Sequence, residues 1–125
     1  KYFSHIRSYR GDRNHYRKLK RSLKDEFLQI GLTTATQSFW PKELRKYNPR
    51  DKAHNIIGIW PGTRRGTPSD QIIIIGAHYD TVRSSPGVDD NGSGSAAVLE
   101  MAKLIAQNNC KLDKTIIFVL FDMEE

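Results

Sequence analysis

The residue types and spacings that could do chemistry fall in three places: His78-Tyr79-Asp80, Asp89-Asp90 and Asp122-Met123-Glu124-Glu125. An extended backbone sends alternate side chains to the same side, so Asp80 could orient His78 or accept from its ring, the way carboxylates fix metal-bound histidines. Asp89 and Asp90 stand side by side in a Gly-flanked loop. Adjacent carboxylates repel, and a cation is the usual reason to tolerate them. Glu124-Glu125 repeats the arrangement. Histidine nitrogen with carboxylate oxygen suits zinc, whereas carboxylates alone would suit calcium or magnesium. Any one acidic pair alone is an ordinary solvated turn. Three clusters at the ends of strands predicted to be neighbours are harder to dismiss in that way.

The elements that must position these residues are legible around them. The run Ile72-Ile73-Ile74-Ile75 is short, β-branched and bounded by polar turn residues, so Gln71 to Ala77 reads as a buried strand. A helical apolar pattern follows from Ser93 to about Asn108, and Lys114 to Phe121 returns as a strand. Strand, helix, strand is a βαβ unit, which predicts that the two strands are parallel. His78, Asp80, Asp89 and Asp90 then lie beyond the C-terminal end of the first strand, and Glu124 and Glu125 beyond the second. In open α/β sheets that edge is where ligands bind. Upstream, Tyr16, Leu19, Leu23, Phe27 and Ile30 recur at helical spacing over Asn14 to Ile30, and Gly31 is the stop signal. Thr33 to Trp40 and Asn55 to Trp60 read as strands, and the polar stretch Lys42 to Lys52 between them holds a turn at Asn48-Pro49. The fold class is α/β.

A chain of 125 residues with 38% hydrophobic content suits one soluble domain or part of one. No apolar stretch approaches the roughly 18 residues of a membrane span. The lone Cys110 excludes an internal disulfide and a cysteine-built zinc cage. The net charge of +6 is concentrated early, at Arg7, Arg10, Arg13, Arg17, Lys18, Lys20, Arg21 and Lys24. A basic helix can bind nucleic acid or an anionic surface. No nucleic-acid motif accompanies the charge, so a solvated helix face is the preferred reading. The chain starts without a methionine and stops just after a strand, which suggests the N-terminal portion of something longer. Gly92 and Gly94 lack the full phosphate-loop pattern and fit close packing of loop and helix better. No nucleophile elbow surrounds Ser84, Ser85 or Ser93, and Ser93 reads as a helix cap.

Together, His78-Tyr79-Asp80, Pro86-Gly87-Val88-Asp89-Asp90-Asn91-Gly92-Ser93-Gly94 and Phe118-Val119-Leu120-Phe121-Asp122-Met123-Glu124-Glu125 resemble the three successive N-terminal motifs of the M28 family of zinc-dependent exopeptidases. The resemblance covers roughly Asn55 to Glu125. It implies a three-layer α/β/α fold with a mixed sheet, incomplete at the C-terminus. Residues 1–125 would be the N-terminal part of one catalytic domain, with a basic amphipathic helix in 1–31 and the sheet with its metal-site loops in 32–125. It further implies that His78 binds one zinc, that Asp89 bridges two zincs with a commonly cis peptide bond after it, and that Glu125 binds the second zinc. Asp80 would orient His78 and Glu124 would be the general base. The substrate would be a peptide, and a secreted or lumenal location is what the family often shows. The family takes two further ligands, an aspartate and a histidine, from later in the chain, so the resemblance implies that these residues alone bind zinc weakly and cleave nothing. Two other readings compete. A glutaminyl-cyclase-like acyltransferase shares the scaffold and the Glu-Glu strand end but works with one zinc and typically lacks the second carboxylate of the Asp-Asp pair; Asp90 favours the peptidase. A non-catalytic module would have lost ligands, and every position visible here is intact.

Overall fold

The structure is a computed structural model that describes residues 2–42 and 52–125. Its elements are α1 (Arg13–Ile30), β1 (Thr33–Phe39), β2 (Ala53–Trp60), β3 (Ile72–His78), α2 (Gly94–Gln107) and β4 (Thr115–Phe121). Each begins and ends close to where the sequence places it. The turn expected at Asn48-Pro49 lies outside the described residues.

Helix α1 forms where the apolar period and both end signals agree. Asp12 caps its first turn, accepting from the N–H groups of Asn14 and His15 at 2.9 and 3.1 Å. Gly31 ends it at φ +94, a left-handed conformation that glycine adopts without penalty. Tyr16, Leu19, Leu23 and Phe27 are buried along one face. The helix begins at Arg13, so the preceding residues 2–12 are not part of it.

The four strands form one mixed sheet in the order β1-β2-β4-β3. β2 runs antiparallel to both neighbours, and β3 and β4 are parallel, as the βαβ reading predicts. Registry puts Ile56 opposite Leu120 and Ala77 opposite Leu120, so these three share a face with Ile116 and Phe118. That face meets the apolar sides of α1 and α2 in one core containing Leu23, Phe27, Val98, Ala102 and Phe118. Gly58 sits on the same face because a side chain there would collide with its cover: an added Cβ would lie 2.6 Å from Leu32 Cδ1. The class is α/β with a mixed sheet.

Two expectations need correcting. Ile72, Ile73 and Ile74 are exposed at 59%, 42% and 64%, not buried. Among the described residues β3 is an edge strand and both helices lie on one face of the sheet, so nothing here covers the start of β3. Arg7, counted with the basic helix face, is neither helical nor solvated: it is fully buried.

Leu23 is fully buried between α1 and the sheet. Leu23→Ala is expected to lower unfolding stability by about 2–5 kcal/mol, read by chemical denaturation. A loss under about 1 kcal/mol would mean that α1 does not pack as described.

Candidate metal centre

The parallel pairing of β3 with β4 sets His78 opposite Phe121, and the candidate residues lie just beyond these two positions. His78 is buried at the strand end. Its Nδ1 lies 3.2 Å from the Asp80 carbonyl oxygen and 3.5 Å from Asp80 Oδ1. A proton on Nδ1 is taken up there, which leaves the Nε2 lone pair facing outward. Nε2 stands 3.1 Å from Asp90 Oδ1 and 3.8 Å from Glu124 Oε2. Bonds of about 2.0–2.2 Å to one tetrahedral zinc separate neighbouring ligand atoms by about 3.3 Å, so the 3.1 Å spacing of His78 Nε2 and Asp90 Oδ1 suits a shared ion, with Glu124 beside it. Ligand atoms of His78, Glu124 and Glu125 all lie within 4.8 Å of one another. One oriented imidazole nitrogen among carboxylate oxygens is a donor set that fits zinc.

Asp80 does more than orient the histidine. It is 3% exposed, and its two carboxylate oxygens accept the N–H groups of Glu124 and Glu125, each at 3.2 Å. Met123, at φ +62, turns the chain so that both N–H groups reach it. Burial pushes the Asp80 carboxyl above its ordinary value, and these two hydrogen bonds pull it back. One carboxylate thus ties the end of β3 to the end of β4. The Glu124 side chain stays 61% exposed and the Asp90 side chain 77%. Glu124 and Glu125 line an open cleft of about 510 Å³, with Arg10 and Arg83 on its walls.

The loop after β3 places one aspartate of the pair against His78, and it is Asp90. The family resemblance implies the bridging position for Asp89, with a cis bond following it; the cis peptide bond is Asp90-Asn91. Asp89 takes part through its main chain, its carbonyl accepting from Ser93 Oγ at 2.7 Å. Ser93 is therefore not the cap of α2: Asn91 Oδ1 accepts the Gly94 N–H at 3.1 Å instead. The glycines serve close packing. Gly87 has φ +53, and a Cβ there would strike Asp90 O and the Thr81 methyl; one on Gly94 would strike Asn91 Oδ1.

Asp122, grouped with the strand-end acids by sequence, points to the other side. It is buried, and accepts from the Tyr16 hydroxyl and from the His54 N–H (2.7 Å), with Lys20 Nζ at 3.9 Å. Its own N–H donates to Asn55 Oδ1 at 2.9 Å. Burial and the Asp122 charge raise the Tyr16 hydroxyl far above its ordinary range, so it remains a donor. This network joins α1, β2 and β4 behind the acids of the candidate centre.

Residues 55–125, more than half of the chain, match Peptidase family M28. The chain belongs to peptidase family M28. It is 42% identical over 73 residues to aminopeptidase YwaD of Bacillus subtilis, covering 58% of this chain and 15% of that protein. Among solved structures, a zinc aminopeptidase from Bacillus subtilis aligns with TM-score 0.53 and 39% identity over 61% of this chain and 18% of its own. A glutaminyl cyclase from Porphyromonas gingivalis aligns with TM-score 0.74 over 95% of this chain and 40% of its own; at 24% identity it shares the fold. The chain spans about a fifth or less of the length of the first curated relatives it matches.

Burial, then the charges of Lys20 and Lys52, hold His54 below its ordinary value of 6.5 against the opposing pull of Asp122. As pH falls through 6.5 the unfolded imidazole takes up a proton that the folded one resists. The unfolded state then binds more protons, so this group removes stability between pH 6.5 and its lower folded value. His54→Gln is expected to flatten that part of a denaturation profile, and Lys20→Met to raise the His54 titration midpoint by NMR. A His54 midpoint at or above 6.5 in the unmodified chain would contradict the assignment.

Proposed function

We propose that the protein containing this chain is a zinc-dependent exopeptidase, most simply an aminopeptidase, with a co-catalytic dizinc centre. The observation that carries the reading is the convergence of His78 Nε2, Asp90 and Glu124 at 3.1 and 3.8 Å on the ends of two parallel strands, in a chain of family M28. His78 would hold one zinc and Glu125 the other, and Asp90, not Asp89, would stand between them. Each zinc then has two ligands from this chain. Catalytic zinc usually keeps three protein ligands, so the others must come from outside these residues, and the chain alone would bind zinc weakly and be inactive.

When bound, a zinc pair supplies a water whose pKa is lowered toward about 7 and polarises the scissile carbonyl. Glu124, exposed to the cleft, takes the proton of the attacking water and returns it to the leaving amine. Asp80 keeps the His78 proton on Nδ1 and fixes the main chain of Glu124 and Glu125. The cleft admits the end of a peptide, and residues outside this chain would choose which one.

In the full-length protein, Glu124→Gln is expected to lower kcat on an aminoacyl p-nitroanilide by about 10²–10⁴ with zinc content unchanged. Asp90→Asn should strip zinc, measured by inductively coupled plasma mass spectrometry, and Asp89→Asn should not. The reverse pattern would overturn the ligand assignment. A stoichiometry of one zinc would favour a glutaminyl-cyclase-type acyltransferase, and none a non-catalytic module.

A further inference from the structure

Among the described residues of the N-terminal stretch, Arg7 is the one basic residue that is completely buried. A buried cation is costly unless its donors are taken up. Its guanidinium donates to five main-chain carbonyls: Nε to Tyr79 O at 2.7 Å, Nη1 to Phe3 O, His5 O and Pro86 O at 2.9, 3.1 and 2.6 Å, and Nη2 to Gly87 O at 2.7 Å. Its main chain also pairs with Thr81: the Arg7 N–H donates to Thr81 Oγ1 at 2.9 Å, and the Thr81 N–H donates to Arg7 O at 3.3 Å.

These acceptors belong to three separate segments. Phe3 and His5 lie in the strap before α1. Tyr79 sits between His78 and Asp80, at the end of β3. Pro86 and Gly87 open the loop that carries Asp90. Gly87 O also accepts the Gly92 N–H at 3.0 Å, which closes that loop around Asp90 and Asn91. Gly92 is packed so tightly that an added Cβ would lie 3.2 Å from Arg7 Nη2. A planar fork with five donors fixes both distance and angle between the groups it joins, which a lysine cannot do.

We infer that Arg7 is a positioning residue for the metal centre: its guanidinium holds the loop bearing Asp90 against the strand end bearing His78, and so sets the spacing of two metal-facing groups. The strap of residues 2–12 is thereby part of the site, through Arg7 as well as through Arg10 on the cleft wall. The catalytic meaning rests on the zinc-centre reading above; the geometric claim does not.

The test uses Arg7→Lys and Arg7→Gln in the full-length protein, with Leu23→Ala as a control that loses stability far from the site. Two quantities are read: zinc affinity by chelator competition, and amide hydrogen exchange at Gly92 and Thr81 in metal-free protein. Both Arg7 variants are expected to weaken zinc binding by about 10- to 100-fold, the range for residues that orient metal ligands, and to speed exchange at Gly92 and Thr81. Leu23→Ala should leave both near wild type. Wild-type affinity and exchange in the Arg7 variants would overturn the inference. So would equal loss in Leu23→Ala, or unfolding of both Arg7 variants while Leu23→Ala stays folded, because either result makes Arg7 a general stabiliser. If the wild-type protein binds no zinc, the peptidase reading fails, and Gly92 exchange still decides whether Arg7 holds the loop.

Discussion

The parallel pairing of β3 with β4 is the constraint on which the rest depends. Side chains alternate along a strand, so a slip of one residue would send His78 to the opposite face of the sheet. Registry instead fixes His78 opposite Phe121, and the carboxylate of Asp80 then locks the two strand ends together through the N–H groups of Glu124 and Glu125. Helix α2 makes the pairing possible because parallel strands need a long crossover. The loop before that helix brings Asp90 back over the same edge. No acid in the centre belongs to the same short segment as the histidine it faces, except Asp80.

The acids at this edge divide by burial. Asp80 and Asp122 are buried, and both have donors enough to stay there. They hold backbone and helix in place from opposite sides of β4. Asp90, Glu124 and Glu125 are exposed, the two glutamates on the cleft wall, where a carboxylate remains free to take a cation or a proton. A strand end with three acids in close succession, Asp122, Glu124 and Glu125, is tolerable because only part of that charge faces any one environment.

Much of this was legible in the sequence. Helical spacing from Tyr16 to Phe27, the glycine after Ile30, the apolar pattern after Ser93 and the β-branched runs placed both long helices and all four strands, and the βαβ pattern placed the parallel pair. What escaped depends on contacts that spacing cannot encode. The apolar run Ile72 to Ile75 reads as buried, yet burial depends on what lies beyond β3, and no described residue covers its start. Asp89 and Asp90 have the same chemistry one position apart, and only the path of the loop decides which faces His78. Ser93 and Asn91 are both good caps, and again the loop path chose Asn91. Arg7 carries no local signal at all: its acceptors are carbonyls, which every residue has, mostly more than seventy positions away.

The measurement that tests the central claim most directly is anomalous diffraction at the zinc edge from crystals of the full-length protein grown with zinc. The account predicts two anomalous peaks beside the ends of β3 and β4, with Asp90 between them, His78 on one and Glu125 on the other. A single peak, or two peaks joined through Asp89, would contradict it.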